Sequence, residues 1–321
     1  IEAGIFPSPS HHTSFLYRSM NRFFLLITAA CVCATITGCA ASSTTYTQVE
    51  AEAINQTVDS LQAAARLRNP NLNATLWQQT AVEYDGLTRG MYVLAEAMLD
   101  RALDDSTWTA SLEQSAEGAA SYRAKPPAVV LDVDETVLDN SPYQARLVLE
   151  NETYNSETWQ AWCREASASA IPGALAFTKA AEARGVQVIY LTNRDAAVEE
   201  PTRANLQALG FPMDADEDVL LTQGEIPEWQ ASDKTPRREA VAEAYRIVLL
   251  IGDNFGDFGG DVDVSIAERE QRAATFSRYW GTRWIVLPNP QYGSWEGATY
   301  GFDYGASALQ KLRDKHNALQ P

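Results

Sequence analysis

Two aspartates spaced two residues apart follow a short apolar run near the middle of the chain. Asp132 and Asp134 come directly after Val129, Val130 and Leu131. If the run is a strand, its pleat turns both carboxylates to the same side of the strand end. Such a pair suits one attacking carboxylate and one proton-transfer carboxylate around a shared cation. An Asx-rich turn or a calcium loop has the same spacing, so the pair alone leaves these alternatives open.

Three later clusters of polar residues carry groups that suit phosphate chemistry. Thr192 and Asn193 follow a second apolar run, and their hydroxyl and amide groups can donate hydrogen bonds to phosphate oxygens. Lys234 is a cation that can neutralise a transferring phosphoryl group, although an isolated lysine is more often a solvated surface residue. Asp253 and Asp257 follow a further apolar run, and carboxylates are ligands that Mg²⁺ prefers. The four clusters together indicate a site for a phosphate group and a divalent cation.

Short apolar runs rich in β-forming residues alternate with helical segments from residue 125 onward. The runs span residues 128–133, 186–191, 219–221, 247–251 and 284–287, with helical segments such as 174–184 and 237–245 between them. This alternation predicts the α/β class, with a parallel sheet covered by helices on both faces. Ligands of such sheets bind at the carboxyl edge, where the polar clusters fall. Neither the glycine-rich dinucleotide motif nor the P-loop motif occurs, so both of those functions lack their usual support.

The composition excludes several classes of function. The 321 residues carry a formal net charge of −17, so the field of the whole protein repels nucleic-acid polymers and anionic membranes. The three histidines, His11, His12 and His316, lie near the chain ends, which removes Ser-His-Asp hydrolysis, phosphohistidine chemistry and His-rich metal sites. No arginine stands six residues after Cys163, so a cysteine phosphatase loop is also excluded. Hydrolysis would then depend on Asp or Glu with a hard cation such as Mg²⁺.

The N-terminal part of the chain resembles a bacterial lipoprotein signal peptide. Residues 1–19 precede the first methionine and are interpreted as an upstream over-read, and residues 20–38 combine a basic start with an apolar stretch shorter than the ~20 residues of a spanning helix. The stretch ends in a pattern similar to a lipobox, in which Cys39 becomes the lipidated first residue. Ordinary cleavage after Ala40 is the alternative. Because Ala40 rather than an aspartate follows the cysteine, we expect a bacterial outer-membrane lipoprotein, anchored only through lipid and facing the periplasm or the cell surface.

The region between the anchor and the sheet has two parts. Residues 39–48, rich in Ser, Thr and Ala, are predicted to be a tether, and residues 49–124 a helical region. Steps of three and four residues predict one long helix with a stripe that packs in the core, formed by Trp77, Ala81, Tyr84, Leu87, Met91, Leu94 and Met98. Within the α/β domain at 125–321, residues 138–172 are too long for a turn and rich in aromatic residues, so we expect a small cap over the site.

The order of the four polar clusters resembles that of the haloacid dehalogenase superfamily, whose motifs are a D-x-D strand end, a Ser or Thr strand end, a Lys and a final acidic pair. Within the superfamily the chain is similar to the bacterial acid phosphatases of the lipoprotein e (class C) family, named for four aspartates, here Asp132, Asp134, Asp253 and Asp257. Further matching stretches are residues 76–79, 83–84, 138–143, 159–162, 233–234 and 287–296. The resemblance implies a haloacid dehalogenase-like, doubly wound parallel sheet of the Rossmann-like kind, with N-terminal helices and a small cap inserted after the first strand.

The resemblance also implies a two-step hydrolysis of phosphomonoesters. Asp132 would attack phosphorus and become an aspartyl phosphate, while Asp134 would protonate the leaving oxygen and later take a proton from the water that cleaves the acyl phosphate. Because Asp134 must start protonated, activity should favour acid pH. The implied cofactor is Mg²⁺, bound by Asp132, the main-chain carbonyl of Asp134 and Asp253, with Asp257 orienting metal-bound water.

The same resemblance implies how the substrate is held. Thr192, Asn193 and Lys234 would bind the remaining phosphate oxygens. The small-molecule substrates would be nucleoside monophosphates or nicotinamide mononucleotide, with Tyr292 and Trp159 as candidates for stacking on the ring. Core packing is the alternative role for each of these two aromatic residues.

Two other functions stay open at the level of sequence. A phosphotransferase of the same superfamily would pass phosphate from the aspartyl intermediate to an alcohol. A ligand-binding surface lipoprotein would keep the fold without the chemistry. Such a protein need not retain all four motifs, so their presence favours an enzyme. Glu135 is interpreted as an acid at the start of a helix and is assigned no chemistry. The sequence makes no prediction of the oligomeric state.

Overall fold

The computed structural model describes residues 52–57, 60, 69–214 and 216–321. Several predicted segments lie outside these residues, namely the over-read at 1–19, the signal peptide at 20–38, Cys39 and the tether at 39–48. Residues 52–57 are helical. Within the described part of the chain, no helix is both long enough and apolar enough to cross a membrane.

The strands of the described chain form one large and one small sheet. They are β1 (Pro127–Leu131), β2 (Leu138–Asp139), β3 (Ser169–Ala170), β4 (Gln187–Asp195), β5 (Leu220–Gln223), β6 (Arg246–Gly252) and β7 (Trp284–Val286). Five of them form a parallel sheet in the order β5-β4-β1-β6-β7, and β2 pairs with β3 in a short antiparallel ribbon. The predicted α/β class and parallel sheet are confirmed.

Helices lie along the chain between these strands. From residue 69 onward the α-helices are α1 (Leu72–Thr80), α2 (Val82–Asp104), α3 (Leu112–Glu117), α4 (Ser141–Glu150), α5 (Ser156–Glu165), α6 (Ala174–Ala183), α7 (Glu199–Leu209), α8 (Thr235–Ala244), α9 (Ile266–Thr275), α10 (Ser294–Thr299) and α11 (Ala308–Asn317). From β1 the chain adds β4 and then β5 on one side, and β6 and then β7 on the other. The connecting helices therefore cover both faces of the sheet.

The burial of both faces explains why the strands are continuously apolar in sequence. Val129 and Leu131 point into the core covered by α2, α6 and α7. Ala128 and Val130 point to the opposite face, where α8 and an aromatic cluster around Trp284 cover the sheet. The sheet is therefore held rigidly from both sides, and its carboxyl edge is a fixed platform for the polar residues that follow the strands.

The single long helix predicted through Trp77 and Met98 is wrong. The chain is extended at Ala81 (φ −80°, ψ 123°), which ends α1 and starts α2 in a new direction. After the break, the buried face of α2 carries Tyr84, and Leu87 is 45% exposed. The break lets α1 pack against α4 while α2 packs along the sheet against β6 and α6, two directions that one straight helix cannot combine. Local periodicity extends across the break because the residues on both sides are apolar at helical spacing.

The segment at 138–172 folds as two helices, α4 and α5, between the strands of the β2–β3 ribbon. The side chain of Asn155 caps α5 by accepting hydrogen bonds from the main-chain nitrogens of Glu157 and Thr158. Trp162 of α5 is buried and donates from Nε1 to Asn140 at 2.8 Å. The segment is thus a compact insertion after the first strand whose helix α5 contacts residues next to Asp134.

Candidate active site

The carboxyl edge of the sheet brings together the polar groups of three strands. Asp132 follows β1, Thr192 lies near the end of β4, and Asp253 follows β6. The main-chain partners of Leu131 are Tyr190 on β4 and Ile251 on β6, so Asp132 is flanked by both neighbouring strand ends. Parallel pairing therefore places side chains from distant parts of the chain at one point.

Lys234 comes immediately before α8 and extends into this edge. Its Nζ donates to Oδ1 of Asp132 and, at 2.7 Å, to Oδ1 of Asp257. The side chain is only 5% exposed. Burial alone would lower the pKa of the ammonium, but the two facing carboxylates outweigh it, so the pKa of Lys234 is raised and the group stays charged. The solvated surface lysine that the sequence left open is therefore excluded.

Three carboxylates form a cluster at the same place. Asp132, Asp253 and Asp257 each offer an oxygen within 4.8 Å of the others. Burial raises the pKa of Asp132 to about 7, with Lys234 opposing the shift and Asp257 adding to it. Burial also raises the pKa of Asp253 well above its ordinary value, and the neighbouring aspartates add to that shift. Because ionising this cluster in the interior is costly without a cation, and carboxylate oxygens are hard ligands, the residues present fit a divalent metal.

The loops after β6 and β7 hold two of the three carboxylates in place. Asp257 Oδ2 accepts a hydrogen bond from the main-chain nitrogen of Asn254 at 2.9 Å. Asn289 Nδ2 donates to Asp253 Oδ2 at 2.7 Å. Gly252 lies directly against the Asp257 side chain, and a Cβ at residue 252 would be 2.2 Å from Asp257 Oδ2. This close approach requires glycine at the end of β6.

The carboxylate of Asp134 lies outside the three-aspartate cluster. Its Oδ1 accepts hydrogen bonds from Arg194 Nε at 2.9 Å and from Asn140 Nδ2 at 2.9 Å. Its Oδ2 lies 3.4 Å from Thr192 Oγ1. The side chain is thus held by a guanidinium beside the cluster, which leaves the main-chain carbonyl of Asp134 as its predicted contact with a metal.

The sequence that carries this site matches a known protein family. The profile of the family described as HAD superfamily, subfamily IIIB (Acid phosphatase) matches residues 40–295, which is well over half of the chain. The chain belongs to this acid phosphatase family. The family resemblance predicted from the order of the four motifs is confirmed.

A solved structure agrees with this assignment. The class C acid phosphatase from Bacillus anthracis is 35% identical and has a TM-score of 0.68, and the match covers 80% of this chain and 99% of that chain. A second structure of that enzyme has tungstate bound, with the same identity and coverage. The predicted haloacid dehalogenase-like fold is therefore confirmed.

Curated plant proteins match a smaller part of the chain. The stem 28 kDa glycoprotein of Glycine max is 31% identical over 134 residues, covering 41% of this chain and 52% of that protein. Acid phosphatase 1 of Solanum lycopersicum is 30% identical over 164 residues, covering 51% of this chain and 57% of that protein. The chain thus spans about half the length of the curated relatives it matches. The family description and two of these relatives are acid phosphatases by name.

The two predicted phosphate-binding residues of β4 differ in their surroundings. Thr192 is buried beside Asp134, whereas Asn193 is exposed. Asn193 Nδ2 donates to the carbonyl of Ser232 at 2.9 Å, and its Oδ1 accepts from Arg237 Nη2 at 2.6 Å. The amide therefore ties β4 to the loop that precedes Lys234, and its contact with phosphate stays a prediction.

Glu135 is not at the start of a helix, so that interpretation is wrong. It lies in a turn before β2 with φ at +56° and is fully buried. Its Oε1 accepts from the main-chain nitrogen of Asn140 at 2.9 Å, and its Oε2 accepts from the hydroxyl of Tyr292. Burial, with Asp134 and Asp253 adding to the effect, raises the pKa of Glu135 well above its ordinary value. Glu135 thus connects the turn after Asp134 to the loop that carries Tyr292.

The two aromatic candidates, Trp159 and Tyr292, both touch residues that contact Asp134 or its neighbours. The ring of Trp159, on α5, lies 5.4 Å from the guanidinium carbon of Arg194 and makes an edge contact with Tyr143 at 5.1 Å. Tyr292 is half-buried, and its hydroxyl is bound to Glu135. Both aromatic rings are therefore near the site, and their contact with a substrate stays a prediction.

Four residues at this site were not predicted: Asn140, Thr136, Asn289 and Arg194. One of them had a signal in the sequence, since Arg194 is two residues beyond Thr192 and the pleat of one strand turns both toward the same side. Thr136 Oγ1 lies 3.5 Å from Asp253. The other residues reach the site only through loops whose course the sequence does not show.

Proposed function

We propose that this acid phosphatase hydrolyses phosphomonoesters through an aspartyl phosphate on Asp132, with Mg²⁺ as its cofactor. The observation that carries the proposal is the buried contact of Lys234 with Asp132 and Asp257, beside Asp253. A carboxylate nucleophile, a fixed cation and a cluster of hard oxygen ligands meet at one point, as binding and attack of a phosphate require. The tungstate-bound structure of the Bacillus anthracis enzyme supports oxyanion binding in this family.

In the first step, one carboxylate oxygen of Asp132 attacks phosphorus while the P–O bond to the leaving group breaks. Asp134 donates its proton to the leaving oxygen, which departs as an alcohol. Thr192 and Lys234 bind oxygens of the transferring group and keep it in line with Asp132. Asp253, together with Asp132 and the main-chain carbonyl of Asp134, would hold Mg²⁺, whose charge neutralises phosphate oxygens.

In the second step, Asp134 takes a proton from water. The water oxygen then attacks the phosphorus of the aspartyl phosphate, and inorganic phosphate leaves as Asp132 is restored. Asp257 would orient this end of the site, since its Oδ1 is bound by Lys234 and its Oδ2 by the main-chain nitrogen of Asn254. The cycle needs no histidine or cysteine, in agreement with the composition.

The proposed substrates are nucleoside monophosphates or nicotinamide mononucleotide. The phosphate contacts are common to every phosphomonoester, so selectivity must come from residues that touch the leaving group. Tyr292 and Trp159 offer flat aromatic surfaces close to Asp134 and its neighbours, which supports a substrate with a ring.

The proposed location is the bacterial outer membrane, with the protein held by lipid on Cys39 and facing the periplasm or the cell surface. The support for this location is the signal-like sequence that precedes Cys39 and the alanine that follows it.

The direct test is the Asp132→Asn variant. The amide is nearly isosteric but cannot attack phosphorus, so phosphate release should be abolished and no acid-stable label should appear on the protein after a quench with radiolabelled substrate. Asp104→Asn is the matched control, because Asp104 is exposed at the end of α2. Rapid turnover by a sequence-verified Asp132→Asn protein would overturn the mechanism. Equal yields of alcohol and inorganic phosphate from the unaltered protein would show that it hydrolyses the substrate rather than transferring phosphate to another alcohol.

A second test addresses the metal. Asp253→Asn should lose activity at low Mg²⁺ and regain part of it at high Mg²⁺, because the amide is the weaker ligand. An unchanged dependence on Mg²⁺ would contradict the ligand role of Asp253.

A further inference from the structure

Arg194 is buried directly against the proton-transferring carboxylate. The residue is 1% exposed, although guanidinium groups are among the most costly to bury. Its Nε and Nη2 lie 2.9 and 2.8 Å from the same oxygen, Oδ1 of Asp134. Asn140 Nδ2 donates to that oxygen as well, at 2.9 Å. Oδ1 therefore accepts two N–H hydrogen bonds, from Arg194 Nε and Asn140 Nδ2, and also makes an ion-pair contact with Arg194 Nη2.

The other carboxyl oxygen of Asp134, Oδ2, is the one that can transfer a proton. Within the described part of the chain, the one donor near Oδ2 is Thr192 Oγ1, at 3.4 Å. The two N–H groups that donate to Oδ1 engage both lone pairs of that oxygen, and the guanidinium charge lies against it, so the acidic hydrogen is carried by Oδ2. Thr192 is also a predicted phosphate contact, so Oδ2 faces the side of the site where the transferring group would lie.

The guanidinium itself is fixed by further contacts. Nη1 donates to Thr202 Oγ1 on α7 at 3.0 Å, and Nη2 donates to Asn140 Oδ1 at 3.1 Å. The same Asn140 oxygen accepts from Trp162 Nε1 of α5 at 2.8 Å. Because these partners lie on α7, on the turn before α4 and on α5, the orientation of Arg194 is set by both the sheet domain and the inserted cap helices.

We propose that Arg194 is a positioning residue that occupies Oδ1 of Asp134 and so directs Oδ2 at the leaving group. This inference rests on the proposed function. As the P–O bond breaks, its electron pair stays on the leaving oxygen, which takes the proton from Oδ2 of Asp134. The resulting carboxylate is left facing the guanidinium of Arg194. Without Arg194, the Asp134 carboxyl can rotate and its proton is no longer directed along the breaking bond.

The test compares two substrates that differ in their need for an acid. p-Nitrophenyl phosphate has a good leaving group that departs without a proton, whereas glycerol phosphate has a poor one that needs protonation. With saturating Mg²⁺, kcat/KM reports the steps up to departure of the leaving group. Arg194→Met should lower kcat/KM for glycerol phosphate by about 10²-fold or more, which is the effect of losing a general acid. It should lower kcat/KM for p-nitrophenyl phosphate by less than about tenfold. Arg194→Lys keeps the positive charge but loses the planar guanidinium with its several N–H donors. Its selective loss of kcat/KM for glycerol phosphate should therefore be smaller than that of Arg194→Met.

The control for burial is Arg246→Met. Arg246 is another buried arginine, bound to main-chain carbonyls of Ala102 and Asp105 at the opposite end of β6. Its replacement should reduce stability and affect both substrates equally. If Arg194→Met does not fold, Arg194→Lys gives the same comparison.

The possible outcomes separate this inference from the proposed function. Asp134→Asn should show the same selective loss on glycerol phosphate. If Asp134→Asn shows it but the Arg194 variants lose both substrates equally, Arg194 is only structural and the inference is wrong. If Asp134→Asn itself loses both equally, the acid role of Asp134 fails and the proposed mechanism fails with it.

Discussion

Competition between protons and Mg²⁺ at the three-aspartate cluster is the sharpest consequence of its burial. In the metal-free protein, burial raises the pKa of Asp132 from its ordinary 3.8 to about 7. A shift of about 3 units corresponds to about 4 kcal/mol at 1.36 kcal/mol per unit. Because the folded state binds this proton more tightly than the unfolded chain does, the metal-free protein should lose stability as pH rises from about 4 to about 7. The raised pKa of Asp253 acts in the same direction.

Binding of Mg²⁺ must displace this proton, so its affinity should depend on pH. For one displaced proton with a pKa of about 7, the apparent Kd rises about 50-fold between pH ~7 and pH ~5. Displacement of a second proton, from Asp253, would make the dependence steeper. Stabilisation by a fixed excess of Mg²⁺ should therefore be larger near neutral pH than near pH ~5.

Isothermal titration of Mg²⁺ in buffers of different ionisation enthalpy measures both the Kd and the protons released. We expect net proton release at about pH 6, and a smaller release for Asp132→Asn, which removes the titrating carboxyl. Asp104→Asn, altered on the exposed end of α2, is the control and should behave as the unaltered protein does. A Kd that does not change with pH, without proton release, would refute the assignment of a buried, protonated cluster.

Three further predictions follow from particular contacts. Gly252→Ala adds a Cβ 2.2 Å from Asp257 Oδ2 and should displace that carboxylate, weakening Mg²⁺ affinity at least about tenfold. The control is Gly256→Ala, whose added Cβ has its nearest neighbour at 3.5 Å and which should bind Mg²⁺ as the unaltered protein does. If titration gives the same Mg²⁺ affinity for Gly252→Ala and the unaltered protein, the loop after β6 adapts to the added Cβ and the prediction is wrong. Tyr292→Ala should reduce kcat/KM for aromatic nucleotides by up to about a hundredfold and leave glycerol phosphate nearly unaffected, with Tyr292→Phe in between. Equal losses on both substrates would mean that the ring only packs. Cys39→Ser should move the protein from the membrane fraction to the soluble fraction and abolish acyl labelling, and retention of both would place the anchor elsewhere.

The architecture of the sheet was predictable because burial leaves a direct trace in sequence. A strand covered on both faces must be apolar throughout, and a strand that ends at a ligand site must change abruptly to polar residues. Asp132, Thr192 and Asp253 each follow or end such a run, so their meeting at one edge follows from parallel pairing alone. The types and order of these residues were also enough to indicate the family.

The path of the helices before the sheet was not predictable to the same degree. Helical periodicity continues across Ala81, since the residues on both sides are apolar at the right spacing. Only the packing partners of α1 and α2, which lie on different parts of the fold, require the chain to turn there.

The partners of the charged and polar side chains were decided by tertiary structure. Lys234 reaches Asp132 across 102 residues of sequence, and the hydroxyl of Tyr292 reaches Glu135 across 157 residues. A sequence shows that such groups are present but not which of them share a buried space. The physical reason is that the pKa, the charge and the role of each group depend on desolvation and on neighbours, and both are created only when the loops close over the carboxyl edge.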